Sequence, residues 1–550
     1  MKGKHAVLIL ILSVIVACGV AYVLLVPRSP DRATMLLING KVYTVYEEQP
    51  RAEAIAVNGK IIVGVGSTEE IARRYAADTV IDLGGRTVLP GFIDAHAHLE
   101  SLGAYLLNLD LLNAASVSEI QDRVRSRIGS IHAGGWLRGR GWDQNKWRRK
   151  EFPSRHDLDP VSEDVPVYLV RVDGHALWVN SRALQIAGIT KGTPDPEGGM
   201  ILREPDGSPT GILIDNAMEL LASALPPPNR QERIEAIDTA VQECLSVGLT
   251  EVHDMGVDLE GISIYDELIR SGKFPFRVYA AMNGEAETLD HYFAAGPDIG
   301  GHQNRLTVRA IKLYADGALG SRGAALVEPY SDDKQNRGLT LMKSSVMQSI
   351  AEKALERGFQ VCTHAIGDRG NHIVLNCYEN AFNSRHINGF NVRFRVEHAQ
   401  VLLPEDIARF GILGVIPSMQ PTHCTSDMPW ATDRLGPERV KGAYAWRSLL
   451  EHGSIIPGGS DFPVESPNPL LGFYAAITRQ DITGKPDGGW HPQEKMTREE
   501  ALRSFTVWAA YASFQDSIKG SLQPGKVADL VVLSDDIMQI APSRIPQTNV

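Results

Sequence analysis

The sequence predicts an α/β fold: a (β/α)8 TIM-like barrel, a small β-sandwich built from both chain ends, and an N-terminal transmembrane or signal segment. Three observations carry this expectation. Apolar runs alternate with helical stretches through the middle of the chain, the texture of a parallel sheet with helical crossovers. Eight such runs can be counted, the number that closes a barrel. Short runs split by two-residue turns are confined to the regions near the two ends.

In chain order, residues 6–26 form an uncharged apolar stretch between Lys2 and Lys4 on one side and Pro27-Arg28 on the other. It is long enough to span a bilayer as a helix. Three readings stand for residues 1–28: an uncleaved anchor, a lipoprotein signal lipidated at Cys18 within Ile15-Val16-Ala17-Cys18, or a cleaved signal peptide. All three export the body of the protein, and the lysines near the N-terminus place it outside the cytoplasm.

Residues 34–90 and 515–550 are expected to build the sandwich. Hairpins are predicted around Asn39-Gly40, Asn58-Gly59 and Gly84-Gly85, each a turn pair between apolar runs. Residues 520–533 add another turn and an apolar strand. The barrel is expected over 91–514, with strands in the runs 91–98, 165–175, 248–256, 308–317, 359–368, 392–400, 414–420 and 455–461. Helical periodicity marks 229–247 and 345–357. Residues 100–164 exceed an ordinary connection and read as an inserted subdomain, with a second insertion at 188–209.

Composition narrows the function. With 43% hydrophobic and 22% charged residues, the chain of 550 is ordinary globular material. Its net charge of −11 argues against a protein built to neutralise nucleic-acid phosphates. Five scattered cysteines without a CxxC exclude a disulfide framework and a thiolate zinc cluster. The 16 histidines are more informative, because several fall at the ends of the apolar runs.

His96-Ala97-His98 ends the first run, and residues two apart on a strand share a side, so both imidazoles can approach one cation. Lys312 lies in the fourth run, while His364, His398 and Asp461 end the fifth, sixth and eighth. A barrel gathers such positions at the carboxyl ends of its strands. Singly they read as rim or core histidines, a charged strand residue and a helix cap; jointly they read as a metal site. His175, ending the second run, is read as a catalytic residue that binds a substrate carbonyl, with a structural hydrogen bond as the other reading. Trp142, Asp143 and Trp147 either wall the pocket or pack locally. Asp316 and Arg322 are candidates to orient Lys312 or substrate, Asp254 to orient a histidine, and Asp368 to orient His364.

The segments LPGFIDAHAH, RVDGHALWVNS, IKLYADG, THAIGDRG, RVEHAQ, GGSDFP and GSLQPGKVADLVVL together resemble the amidohydrolase superfamily. The likeness is to amidohydrolase family 3, the branch of YtcJ-like and N-substituted formamide deformylase-like enzymes. The resemblance implies a barrel with an accompanying sandwich and hydrolysis at a divalent metal centre of one or two ions, usually zinc. His96, His98, His364, His398 and Asp461 match the family's metal-site positions, and Lys312 matches a lysine that can be carboxylated to bridge two metals. Asp461 would then serve as base and acid around an activated water. The expected activity is hydrolysis of a non-peptide C–N bond in a small amide or N-formyl compound. A metal-dependent esterase, lactonase or deaminase on the same site, and a noncatalytic surface-binding barrel, remain the alternatives.

Overall fold

The computed structural model describes residues 30–132, 134–162, 164–172 and 174–550. The predicted membrane or signal segment lies outside them. Among the described residues no helix is long and apolar enough to cross a membrane.

Seven parallel strands form most of a barrel, in the spatial order Phe92–Ala97, Leu249–Val257, Arg277–Met282, Leu306–Tyr314, Gln360–Ala365, Arg395–His398 and Ile416–Ser418. Residues 455–461 bridge the gap between the last and the first without a regular ladder. On one side Gly459 N donates to Met419 O at 3.1 Å; on the other Ala95 N donates to Gly458 O at 2.9 Å and Asp461 N to His96 O at 2.8 Å. The two backbones approach closely, since a Cβ on Gly459 would stand 2.5 Å from His96 N. Only glycine permits that approach.

This order corrects the expected strand list in two places. The run 165–175 supplies Val167–Arg171, which belongs to a separate six-stranded sheet and not to the barrel. The third barrel strand is instead Arg277–Met282, an apolar run followed by Asn283, which carries no ionisable group to draw attention to it. An apolar run states that a strand is buried; it does not state in which sheet.

The separate sheet runs Gly199–Arg203, Pro209–Asp215, Ala176–Val179, Val167–Arg171, Leu137–Trp142 and Leu109–Asp110. It has its own core of Leu111, Ile120, Val124, Trp142, Trp147 and Trp178. The insertion therefore reaches Asp215, well past the expected limit at 164, and absorbs the expected second insertion at 188–209. Trp142 and Trp147 stack with ring centroids 6.2 Å apart and donate their indole N–H groups to Leu169 O and Ala114 O. They are the packing cluster of the insertion and not a pocket wall.

Near the chain ends, two four-stranded sheets face each other over Leu37, Val42, Ile55, Ile62, Val88 and Leu522. Leu530–Leu533 pairs antiparallel with Thr87–Pro90, which brings the C-terminal region onto the N-terminal one. Of the predicted hairpins only Ala54–Asn58 with Ile61–Gly66 forms. Asp31–Ile38 runs parallel to Tyr75–Asp82, and both cross together into the other sheet, where Lys41–Tyr43 and Thr87–Pro90 are again parallel. Asn39-Gly40 and Gly84-Gly85 are thus corners between sheets, packed so closely that a Cβ on Gly40 would meet Leu83 Cδ1 at 2.4 Å.

The helices follow local chemistry. Arg230–Ser246 starts at a capping box in which Asn229 and Glu232 satisfy each other's backbone N–H groups. Ser344–Arg357 ends at Gly358 in the left-handed region, φ 80°. Leu99–Leu107, which leaves the first strand directly after His98, lies against Arg230–Ser246 at Gly103, where a Cβ would come 1.7 Å from Ala236 O. Gly103→Ala is therefore expected to lower stability by about 1–3 kcal/mol through forced separation of these helices, checked by urea unfolding monitored by far-UV circular dichroism.

Candidate metal centre

At the carboxyl end of the barrel the chain concentrates imidazoles around one carboxylate. The fully buried His96 ring sits with Nδ1 2.6 Å from Glu397 Oε2 and Nε2 3.5 Å from Asp461 Oδ1. His98 places Nδ1 2.9 Å from Met255 O and Nε2 3.2 Å from the same Asp461 oxygen. His398 places Nδ1 2.6 Å from Gln420 Oε1, and Gln420 in turn donates its amide to Ser418 O. In each ring the Nδ1 partner is an acceptor, so Nδ1 carries the hydrogen and Nε2 keeps its lone pair.

The consequence is a set of acceptors facing acceptors. Imidazole lone pairs and carboxylate oxygens converge at 3.2 and 3.5 Å only where a proton or a cation lies between them. Ligands about 2.1 Å from a tetrahedral ion stand roughly 3.4 Å apart, which is the spacing found here. Donor atoms of His96, His98 and Asp461 form one set within 4.8 Å of one another, and those of His398, His423 and Asp461 form a second. The residues present fit a divalent cation.

The backbone fixes these positions. Asp94 accepts from His96 N at 3.0 Å and from Ser460 N and Oγ at 3.1 and 2.6 Å, tying the first strand to the segment that carries Asp461. Burial pushes the Asp94 carboxyl up to about 7 despite these donors. Asp461 itself adopts φ 59°, a conformation that side chains other than glycine seldom take. Its burial favours the neutral acid; a hydrogen donated by His98 and positive charge on the neighbouring imidazoles hold the carboxyl well below its usual range, and with the rings neutral that positive charge falls to a cation. Burial lowers His96 to about 4 and His364 to about 3, and keeps His398 well below its ordinary value. Neutral imidazoles are the form that binds metal.

Lys312 is buried, with Nζ 3.2 Å from His96 Nε2. His364 lies with its ring centroid 4.5 Å from that of His398, and its buried Nε2 has no hydrogen-bond partner. Thus His96, His98, Lys312, His364, His398 and Asp461 gather in one place. His175 does not follow the reading that put it on the barrel face. It precedes Ala176–Val179 of the inserted sheet, its side chain is 75% exposed, and Nδ1 bonds Asp215 Oδ1 at 2.9 Å.

The orienting residues also differ from expectation. Asp368 accepts from Val327 N and Arg369 N, while Asp316 is the carboxylate beside His364, 3.6 Å from its Nε2. Asp316 accepts from Ala325 N, Ile366 N and Gly367 N and so locks the loops after the fourth and fifth strands. Asp254 accepts from Tyr265 Oη and Leu99 N, and Arg322 pairs with Asp332. Sequence reasoning missed Asp94, Glu397, Arg395, Gln420 and His423. Asp94 and Glu397 stand two and one positions from recognised histidines, and His423 stands three beyond Gln420 at the end of a predicted strand.

Glu397 is the key support of His96. Burial opposes its charge, yet the Arg395 guanidinium and the His96 hydrogen bond hold it well below the usual carboxylate range. Arg395 reaches Glu397 Oε1 at 2.7 Å, Ser418 Oγ at 2.9 Å and His253 Nδ1 at 2.9 Å. Glu397→Gln is expected to weaken metal binding by about 10–100-fold, because the anion that fixes the His96 tautomer is lost, as read by competition with a chromophoric chelator.

Residues 79–550 match the amidohydrolase family. YtcJ of Bacillus subtilis (strain 168) is 36% identical over 92% of this chain and 95% of its own length. The N-substituted formamide deformylase of Arthrobacter pascens is 30% identical over 94% of this chain and 96% of its own. Among solved structures, an uncharacterized metal-dependent hydrolase from Pyrococcus furiosus superposes with TM-score 0.76 at 28% identity, covering 92% of this chain and all of that one. The chain belongs to the amidohydrolase family and is a metal-dependent hydrolase acting on carbon–nitrogen bonds.

Proposed function

We propose that this protein hydrolyses a C–N bond in a small amide or N-formyl compound with a water activated at the histidine and aspartate centre. The observation that carries the proposal is the convergence of His96 and His98 Nε2 on Asp461 Oδ1, with both Nδ1 atoms occupied by acceptors. The formamide deformylase relative supports the choice of substrate class. The uncharged run at residues 6–26 supports an exported, membrane-anchored enzyme.

His96, His98 and Asp461, with His364 and His398 beside them, would hold a divalent cation, zinc in this reading, which would supply Lewis-acid chemistry for a water and the substrate carbonyl. The remaining work falls to the chain. Glu397, Met255 O and Gln420 keep the ligand rings in the tautomer with Nε2 free. Asp461, held ionised, takes the proton of the attacking water and returns it to the leaving nitrogen. Burial lowers the Lys312 ammonium, which favours the neutral amine; that amine could add carbon dioxide with release of a proton, and the resulting carbamate would offer oxygens to a cation.

Two experiments test this reading. His96→Ala is expected to lose bound metal and Asp461→Asn to lose turnover by about 100-fold or more on a panel of amides and N-formyl amines; retention of both metal and turnover in both variants sinks the hydrolase proposal. For Lys312, metal-stripped protein is expected to regain full metal content in bicarbonate buffer and less in carbon dioxide-free buffer, as counted by plasma mass spectrometry. Equal recovery in the two buffers removes the carbamate.

A further inference from the structure

The buried polar contacts that hold His96 do not end at Arg395. Glu251 and His253 stand two apart on the strand Leu249–Val257 and so share one of its sides. Lys519 reaches them from the loop between the helix Val507–Ala512 and the strand Leu530–Leu533. That loop lies at the amino end of the barrel, where Gln515 Nε2 donates to Thr307 Oγ1 at 3.1 Å near the start of Leu306–Tyr314. Lys519 Nζ pairs with Glu251 Oε2, and both residues are buried.

The direction of each link is fixed. A guanidinium only donates, so the 2.9 Å contact of Arg395 with His253 Nδ1 makes that nitrogen the acceptor and leaves the ring hydrogen on Nε2. Nε2 faces Glu251 Oε1 at 3.6 Å. Burial and the Arg395 cation hold His253 well below its ordinary range, so the ring is neutral. Arg395 continues to Glu397 at 2.7 Å, and Glu397 to His96 Nδ1 at 2.6 Å. Neither Glu251 oxygen accepts a hydrogen bond among the described residues, which leaves Lys519 as the cation that answers its charge.

We propose that Lys519 is a positioning residue for the metal centre: by matching the charge of Glu251 it leaves His253 neutral and Arg395 committed to Glu397, the group that aims His96. An unmatched carboxylate at this depth is costly, and the nearest relief is a proton on His253. A protonated ring offers Arg395 no acceptor and repels it, which draws away the cation that keeps Glu397 ionised. The proposal rests on the hydrolase reading for the identity of the centre and adds a residue that touches none of its ligands.

The test is the Zn2+ affinity of the full chain, read by competition with a chromophoric chelator. Lys519→Met is expected to weaken binding about 10-fold. Adding Glu251→Gln to that variant removes the unmatched anion and is expected to restore affinity to within about threefold of the unaltered protein. Glu251→Asp keeps the anion but draws it back from Lys519; binding about threefold weaker is expected, and this variant carries the test if Lys519→Met does not fold. A second readout needs no metal: histidine-selective 15N labelling of the stripped proteins reports ring tautomers by NMR. His96 is expected to keep its hydrogen on Nδ1 in the unaltered and doubly substituted proteins and to lose that preference in Lys519→Met. A packing role alone would lower the unfolding midpoint and leave affinity and tautomer unchanged. That result, or an affinity that the second substitution fails to restore, overturns the proposal. Absence of Zn2+ binding in the unaltered protein counts instead against the hydrolase reading, so the two failures are distinguishable.

Discussion

The closure of the barrel between residues 455–461 and the strand Phe92–Ala97 is the constraint on which the rest of the site depends. Gly459 brings the two backbones together where any side chain would collide with His96 N. Asp94 then clamps the junction by accepting from His96 N and from both donors of Ser460. Asp461 N donates to His96 O, and the next side chain the segment presents is the carboxylate that His96 and His98 face. Ring closure and the geometry of the centre share the same contacts, because the hydrogen bonds that seal the last gap also set the distance between His96 and Asp461.

Below that junction the barrel interior is polar where such interiors are usually filled by branched aliphatic side chains. Arg395 and Glu397 are fully buried and bonded to each other, and Arg395 spans to His253, Ala95 O and Ser418. Farther along, Glu251 stands 3.6 Å from His253 Nε2 and pairs with Lys519. A buried pair of this kind is weak support for stability, since desolvating both charges offsets most of their attraction. Its use here is directional. Glu397 must be an anion to take the His96 hydrogen, and Arg395 is what keeps an anion at that depth.

The sequence made the carboxyl end of the barrel more legible than the periphery of the fold, and particular residues show why. His96 and His98 declare a shared strand face through their spacing, and His364, His398 and Asp461 each sit just past an apolar run, so strand logic alone brings them to one end. Val167–Arg171 has the same local appearance but pairs with the insertion, because partner choice is a long-range matter that no window of sequence contains. The Asn39-Gly40 and Gly84-Gly85 turns carry the usual hairpin signal yet mark corners, since two parallel strands bending together present the same turn residues as a strand reversing. Glu397 and Asp94 were in view beside recognised histidines, and only the tertiary contacts distinguish a ligand from the residue that aims it. His423 hid in a helix, where strand spacing does not apply.

The same convergence has a thermodynamic side. A centre of neutral imidazoles and an ionised carboxylate, each aimed at the other by fixed hydrogen bonds, is unfavourable as long as nothing positive lies between them. The protein holds it in place by fixed supports: the left-handed conformation of Asp461, the clamp of the Asp94 carboxylate on Ser460, and the carbonyl of Met255 behind His98. A cation bound there would relieve the repulsion without rearranging those supports, and its binding would favour the folded state. Asp461 lies in the segment that closes the ring and its N–H donates to His96 O, so a cation held by its carboxylate would be linked to barrel closure through one residue.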